Sequence, residues 1–228
     1  MAIRVTHSYA ERAELAADLA WQIANQLLSA VDESGMARLL VSGGGTPKLL
    51  FNMLSEIDLP WEAIHIGLVD DRCVPPDDER SNVKLIREFL MLGEAGQAVL
   101  EPLYDPALGI EASAAAACEF WDAPDVVILG MGSDGHTASL FPGSPQLASA
   151  LADDEAKIVH TEPTMEPMVD RLTLNAAAIM EAGWTALHIE GAGKRELFAD
   201  AKVGNASTTP ISHFLNHPTF ELDVYWAP

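Results

Sequence analysis

The chain has 228 residues, 49% of them hydrophobic, enough for the core of one large α/β domain spanning residues 1–228. Its formal charge is -21, from 13 lysines and arginines against 34 aspartates and glutamates, which opposes any broad attraction to nucleic acid or to an anionic membrane. No run approaches 18 apolar residues, "MAIRVTHSYAERAEL" lacks the apolar centre of a secretory signal, and Cys73 and Cys118 are too few for a zinc cluster or a disulfide framework. A soluble, cytoplasmic protein in a reducing compartment is expected.

In chain order, Ala16, Leu19, Ala20, Ile23, Leu27, Leu28 and Val31 fall at helical spacing and predict an amphipathic helix over 11–31. "RLLVSGGGTPKLLFNML" then reads strand, glycine turn, helix, with Pro47 suited to a first helical turn. "IHIGLVDDRCVP" reads as a strand ending in charge and "SNVKLIREFLML" as the helix after it. The stretches 102–123 and 137–168 break the rhythm with alanine-rich and proline-containing sequence, read as a helix plus loops. Between them "DVVILGMGSDGHT" is a strand, apolar on both faces, that runs into glycines and a histidine. "KIVHT" is strand-like, "PTMEPM" a loop, "VDRLTLN" a strand leading into a short helix, and "WTALHIEGAGKRELFADA" again strand, glycine turn, helix. This alternation predicts an α/β, Rossmann-like fold with a mostly parallel sheet and helices on both faces.

Gly130, Gly132 and Gly135 spell G-x-G-x-x-G, but mid-chain and without an acidic residue at the end of the next strand, which argues against a dinucleotide fingerprint. A serine-hydrolase elbow around Ser133 fails because position 131 is Met131. His213 and His217 are four apart, yet "HFLNH" lacks the glutamate of a zinc-protease helix, and a surface helix is expected there. His65 and His188 lie inside strand-like runs and are expected to be packed, while His7 and His160 show no partner pattern.

Four segments, "SGGGTP", "DDRCVP", "GMGSDGHT" and "GAGK", each follow a predicted strand. Strands of a parallel sheet end on the same side, so these segments share one rim, with Asp70, Asp71, Arg72, His136 and Lys194 around a crevice. Each has a plain structural alternative, as a tight connection, a local ion pair or the start of a solvated helix. Together, two glycine-rich cradles and two cations in an acidic protein point to a phosphorylated small molecule, and a histidine beside carboxylates points to acid and base chemistry on it.

These motifs carry a resemblance. With "GMGSDGHTASLFPG" as the most specific, "SGGGTP", "VDDRCVP" followed by "SN", "RLTLN" and "GAGK" occur in the order of the 6-phosphogluconolactonase family, within the larger NagB/RpiA-like group of sugar-phosphate deaminases and isomerases. The resemblance implies hydrolysis of 6-phosphoglucono-δ-lactone in the oxidative pentose phosphate or Entner-Doudoroff route, with no cofactor and no metal. By position, His136 would activate water and then protonate the leaving ring oxygen, with Asp70 and Asp134 orienting the imidazole or the water. Gly43, Gly44, Gly45, Thr46, Arg72, Asn82, Arg171 and Lys194 would hold the phosphate and the sugar hydroxyls, and amides from Gly132 to Gly135 the oxyanion. The partner implied is the sugar lactone alone, bound by a monomer or small homo-oligomer.

Three positions depart from the family's pattern: Gly45 for a serine, Asp71 for a glutamate and Asn175 for a threonine. A deaminase or isomerase of the same fold is opposed by "TASLFPG", which has no acid where the deaminase carries one, and by Arg72 in place of a tyrosine. A sugar-phosphate sensor is opposed by the lack of a basic DNA-binding segment.

Overall fold

The computed structural model describes residues 3–119, 121–152 and 156–228; the readings of 102–123 and 137–168 therefore have residues 120 and 153–155 outside the described residues. The chain opens with β1 (Ile3–Ser8) and α1 (Arg12–Ser34), whose buried stripe runs from Leu15 to Leu27. Gly35 ends α1 at φ 83°, and its N–H returns 2.8 Å to the Val31 carbonyl, a left-handed cap that glycine adopts without a Cβ clash. Next come β2 (Ala37–Val41), α2 (Lys48–Ser55), β3 (Ile64–Leu68), β4 (Asp70–Arg72), α3 (Asn82–Phe89) and β5 (Val99–Glu101). The second half contains α4 (Ile110–Glu119), β6 (Val126–Leu129), α5 (Leu147–Ala150), β7 (Ile158–Thr161), β8 (Arg171–Leu174) and α6 (Ala176–Met180). It closes with β9 (Trp184–Glu190), α7 (Ala192–Ala201), α8 (Ile211–Leu215) and β10 (Leu222–Ala227).

Seven strands form one wholly parallel sheet in the order β1-β10-β9-β6-β2-β3-β5. All four residues of β6 at its centre are buried, as a strand covered on both faces requires. From β1 to β5 the chain steps toward one edge, and from β5 through β6 and β9 to β10 it steps back. Right-handed crossovers then place α1, α2 and α3 on one face and α4, α7 and α8 on the other. The reversal falls between β2 and β6, and open parallel sheets bind ligands at the strand ends beside such a reversal.

The strand read through "LVDDR" divides. β3 stops at Leu68, and β4 joins β8 and β7 in a separate antiparallel sheet, with Asp70 opposite Thr173 and Arg72 opposite Arg171. The strands β1, β5 and β10 were not expected: β1 and β5 are the two edges of the sheet, and neither β1 nor β10 has a glycine signal after it. α8 is a correction, because Ile211, Ser212, Phe214 and Leu215 are buried and it is no surface helix. Among the described residues no helix is long and apolar enough to cross a membrane.

Candidate active site

The rim at the β2/β6 reversal holds a cleft of about 210 Å³ lined by Ser42 to Thr46, Asp70, Arg72, Asn82, Gly130 to Gly132, His136, Ala138 and Lys194. A roomier cavity of about 320 Å³ under α4 has mainly apolar walls, including Leu40, Leu103, Leu108 and Trp121, and takes in none of the rim segments. The two glycine turns of the cleft are stitched together by the Gly130 N–H donating to Ser42 Oγ at 3.0 Å.

The turn after β2 leaves its amides unspent. Among the described residues, the N–H groups of Gly43, Gly44, Gly45 and Thr46 donate to no acceptor of the protein, although they precede α2 and line the cleft. Consecutive turn amides without partners, leading into a helix, are the kind of arrangement that can take an anion. Gly44 sits at φ 95° and needs to be glycine, whereas Gly45 has ordinary φ and open space where a Cβ would go. Gly43 is required by a neighbour: its Cβ would lie 1.9 Å from Asn82 Oδ1.

The turn after β6 spends the N–H groups of its glycines. Gly132 N–H donates to the His136 carbonyl at 2.8 Å and Gly135 N–H to the Gly132 carbonyl at 3.1 Å. Of the expected oxyanion donors from Gly132 to Gly135, the N–H groups of Gly132 and Gly135 are thus engaged inside the turn, and that of Ser133 meets no acceptor among the described residues. What the turn builds is a side-chain pair: His136 Nδ1 lies 2.6 Å from Asp134 Oδ1, and the same oxygen accepts from the His136 backbone N–H at 3.1 Å. Burial acts to raise the Asp134 carboxyl, but the hydrogen bond and charge of His136 outweigh it and hold the group below the usual carboxylate range. With a carboxylate on Nδ1 that nitrogen carries the proton, which leaves Nε2 as the basic atom of the neutral ring. Phe141 packs on the imidazole at 4.8 Å between centroids, and Gly132 makes room on another side: a Cβ there would stand 2.2 Å from His136 Cε1.

β4 explains the opposite wall. Alternation along a strand turns Asp70 and Arg72 to one side and Asp71 to the other. Asp70 and Arg72 line the cleft, while Asp71, expected on the rim, is buried behind it. Burial pushes the Asp71 carboxyl up to about 6, against the pull of the Asn82 and Arg72 backbone N–H groups, which reach Oδ1 at 2.7 Å each. Asn82 Nδ2 donates to the Asp70 carbonyl at 2.9 Å and Asn82 Oδ1 accepts from Arg72 Nη1 at 3.3 Å. Arg72 also donates to the Arg80 carbonyl, but its buried Nε has no acceptor among the described residues.

The remaining cations differ. Lys194 lines the cleft with no ion pair or hydrogen bond among the described residues, and burial lowers its amine despite the opposing charge of Glu190. Arg171 does not line the cleft. Its guanidinium is spent on the carbonyls of Val169 at 2.6 Å and Pro167 at 3.1 Å, and burial with the charge of Arg72 lowers it to about 10.

Elsewhere, His160 Nε2 lies 3.1 Å from Asp170 and His7 stacks on Tyr225, partners that sequence spacing does not reveal. His188 is packed as expected, while His65 is half-buried against Glu101. The His213 and His217 rings are 5.9 Å apart, and no cluster of three possible metal ligands occurs among the described residues. Ser42, Ser139 and Phe141 went unnoticed as site residues, since a serine or a phenylalanine in a turn motif gives no spacing signal.

Fold and cleft define an α/β protein in which four unspent turn amides and a histidine paired with a carboxylate meet at a topological reversal. The chain belongs to the family described as glucosamine-6-phosphate isomerases/6-phosphogluconolactonase, whose model matches residues 10–226. It is 40% identical to a 6-phosphogluconolactonase of Rhizobium meliloti over 97% of this chain and 98% of that one, and 39% identical to one of Neisseria meningitidis over 98% and 99%. A crystal structure of a 6-phosphogluconolactonase from Shewanella baltica superposes with a TM-score of 0.92 at 36% identity, covering 98% of this chain and 97% of that one.

Proposed function

We propose that the chain hydrolyses 6-phosphoglucono-δ-lactone to 6-phosphogluconate. The observation that carries this reading is the meeting, in one cleft, of four unspent turn amides with a histidine held by a carboxylate on Nδ1. The amides from Gly43 to Thr46, the free Nε of Arg72 and the unpaired Lys194 take the phosphate and neighbouring hydroxyls, with Asn82 steadying Arg72. Arg171 contributes charge from beside Arg72, its cross-strand neighbour. Its nitrogens are held by backbone carbonyls, so its part is electrostatic.

Water attacks the lactone carbonyl as His136 Nε2 accepts its proton, and the carbonyl electrons move onto oxygen. When the tetrahedral intermediate collapses, the bond from carbon to ring oxygen breaks, and the imidazolium returns its proton to that oxygen. The products are the freed hydroxyl and the carboxylic acid, which ionises to the carboxylate by releasing its remaining proton to water. Asp134 keeps the ring oriented and steadies its charged form throughout, and Asp70 presents a carboxylate oxygen to water or a sugar hydroxyl.

His136→Ala is expected to fold normally and to lose about a hundredfold or more of lactonase turnover after subtraction of spontaneous hydrolysis. Turnover near that of the parent protein overturns the assignment. With glucosamine 6-phosphate no ammonia release is expected, since no second acid follows His136 in "TASLFPG".

A further inference from the structure

Asp70 is held from beneath by a residue that the reaction as written does not use. Ser139 is fully buried, and its Oγ lies 2.5 Å from Asp70 Oδ2. Asp70 Oδ1 has no donor among the described residues, although Asp70 lines the cleft. One oxygen is therefore fixed and the other left for a ligand.

The chain goes to some length to put Ser139 there. Its N–H donates to Thr173 Oγ1 at 3.1 Å and its carbonyl accepts from Thr161 Oγ1 at 3.0 Å, so β8 and β7 both grip its backbone. Two residues upstream, Thr137 Oγ1 donates to the Gly130 carbonyl at 2.8 Å. Between these anchors Ala138 adopts φ 47°, the one non-glycine residue at positive φ among the described residues. Left-handed alanine is unfavourable, and such strain gathers where the surrounding structure needs a side chain in a particular place. Here the reversal lets His136 reach the cleft while Ser139, three residues on, turns beneath it to Asp70. A buried hydroxyl with only local work to do would bond to a nearby carbonyl, but this one spans 69 positions to reach a carboxylate, which when ionised can only accept.

We propose that Ser139 is the positioning residue of Asp70: its hydroxyl fixes the carboxylate so that Oδ1 meets the attacking water or a hydroxyl of the lactone. The proposal rests on the reading of Asp70 as a group that touches the reacting molecules, and the test separates the two.

Lactonase kcat and KM, corrected for spontaneous hydrolysis, and melting temperature are measured for Ser139→Ala, Asp70→Asn, the double variant and the parent protein. Ser139→Ala is expected to lose about tenfold in kcat with KM within about twofold, and the double variant to match Asp70→Asn within about twofold, because groups acting as one unit are not additive. Ser139→Cys keeps a weak donor of similar size, so its kcat should lie between those of the parent and the alanine variant, and it stands in if the alanine variant fails to fold. Parental kcat in Ser139→Ala beside an impaired Asp70→Asn overturns the role of Ser139 and leaves that of Asp70 intact. The same fold loss from Ser139→Ala in both backgrounds, or a loss confined to KM, makes Ser139 a packing residue and also overturns it. A fully active Asp70→Asn removes the reading of Asp70, and the proposal with it.

Discussion

The two glycine turns at the reversal stand side by side, joined by Ser42 and Gly130, yet their glycines use their N–H groups differently. After β2, the amides of Gly43 to Thr46 have no acceptor among the described residues, and Gly43 leaves room for Asn82. After β6, the amides of Gly132 and Gly135 are consumed within the turn, and Gly132 makes space for a side-chain pair. A glycine-rich spelling thus reports a close approach without saying what approaches. At Gly43 in the first turn it is the side chain of Asn82, and at Gly132 in the second it is the imidazole of His136.

The contrast breaks most visibly at Gly132. Its φ is ordinary, so alanine brings no backbone strain, but the new Cβ would stand 2.2 Å from His136 Cε1, 2.3 Å from Nδ1 and 2.8 Å from Asp134 Oδ1. The pair must part or the ring must turn. Gly132→Ala is expected to cost about as much turnover as loss of the histidine, a hundredfold or more, with the cooperative melt retained. If more than about a tenth of the activity survives, the glycine is not there to seat the pair.

A smaller effect is expected behind the first turn, where Asn82 fills the space beside Gly43 and hangs from Asp71. Besides its donors, Asp71 faces the charges of Asp70 and Arg171. Its folded value of about 6 lies above the unfolded value near 4, so the native state favours the protonated form. The stability it contributes is fully present below about pH 4 and is lost as pH rises through about 6. Asp71→Asn keeps an acceptor for the two backbone N–H groups and removes the titration. Its melting temperature relative to the parent should therefore improve between pH 4 and pH 7, by an amount on the order of 2 kcal/mol and several degrees. A gap that moves the other way would mean that the donors win and the carboxylate is held ionised.

Much of this was legible in the sequence because parallel strands buried on both faces write continuous apolar runs, and a rim follows from their shared direction. "VVIL" gave β6 and, through it, the place of His136. Less legible was whatever depends on a partner far along the chain. β4 is three residues long and is recognisable only by its pairing with β8, so the turning of Asp71 away from the cleft, and the burial that shifts it, were hidden. Arg171 reads as a cation for the substrate until its bonds to Val169 and Pro167 are seen. Ser139 lies in the most specific motif and was passed over, since its partner is 69 positions away.

The smallest effect is expected at Gly45, where the family's usual serine is missing. Positive φ in this turn belongs to Gly44, and nothing lies within 4 Å of a Cβ built on Gly45, so a serine fits without strain. The turn amides remain in Gly45→Ser, and the substitution adds one hydroxyl donor beside them. The melting temperature should stay unchanged, and affinity for 6-phosphogluconate should move by about 1 kcal/mol or less, toward tighter binding if the hydroxyl reaches phosphate. Calorimetric titration beside a thermal melt checks both. A large loss of affinity at unchanged stability would show that the hydroxyl obstructs the ligand where the amides were expected to welcome it, and the phosphate would then have to be placed elsewhere in the cleft, nearer Arg72 and Lys194.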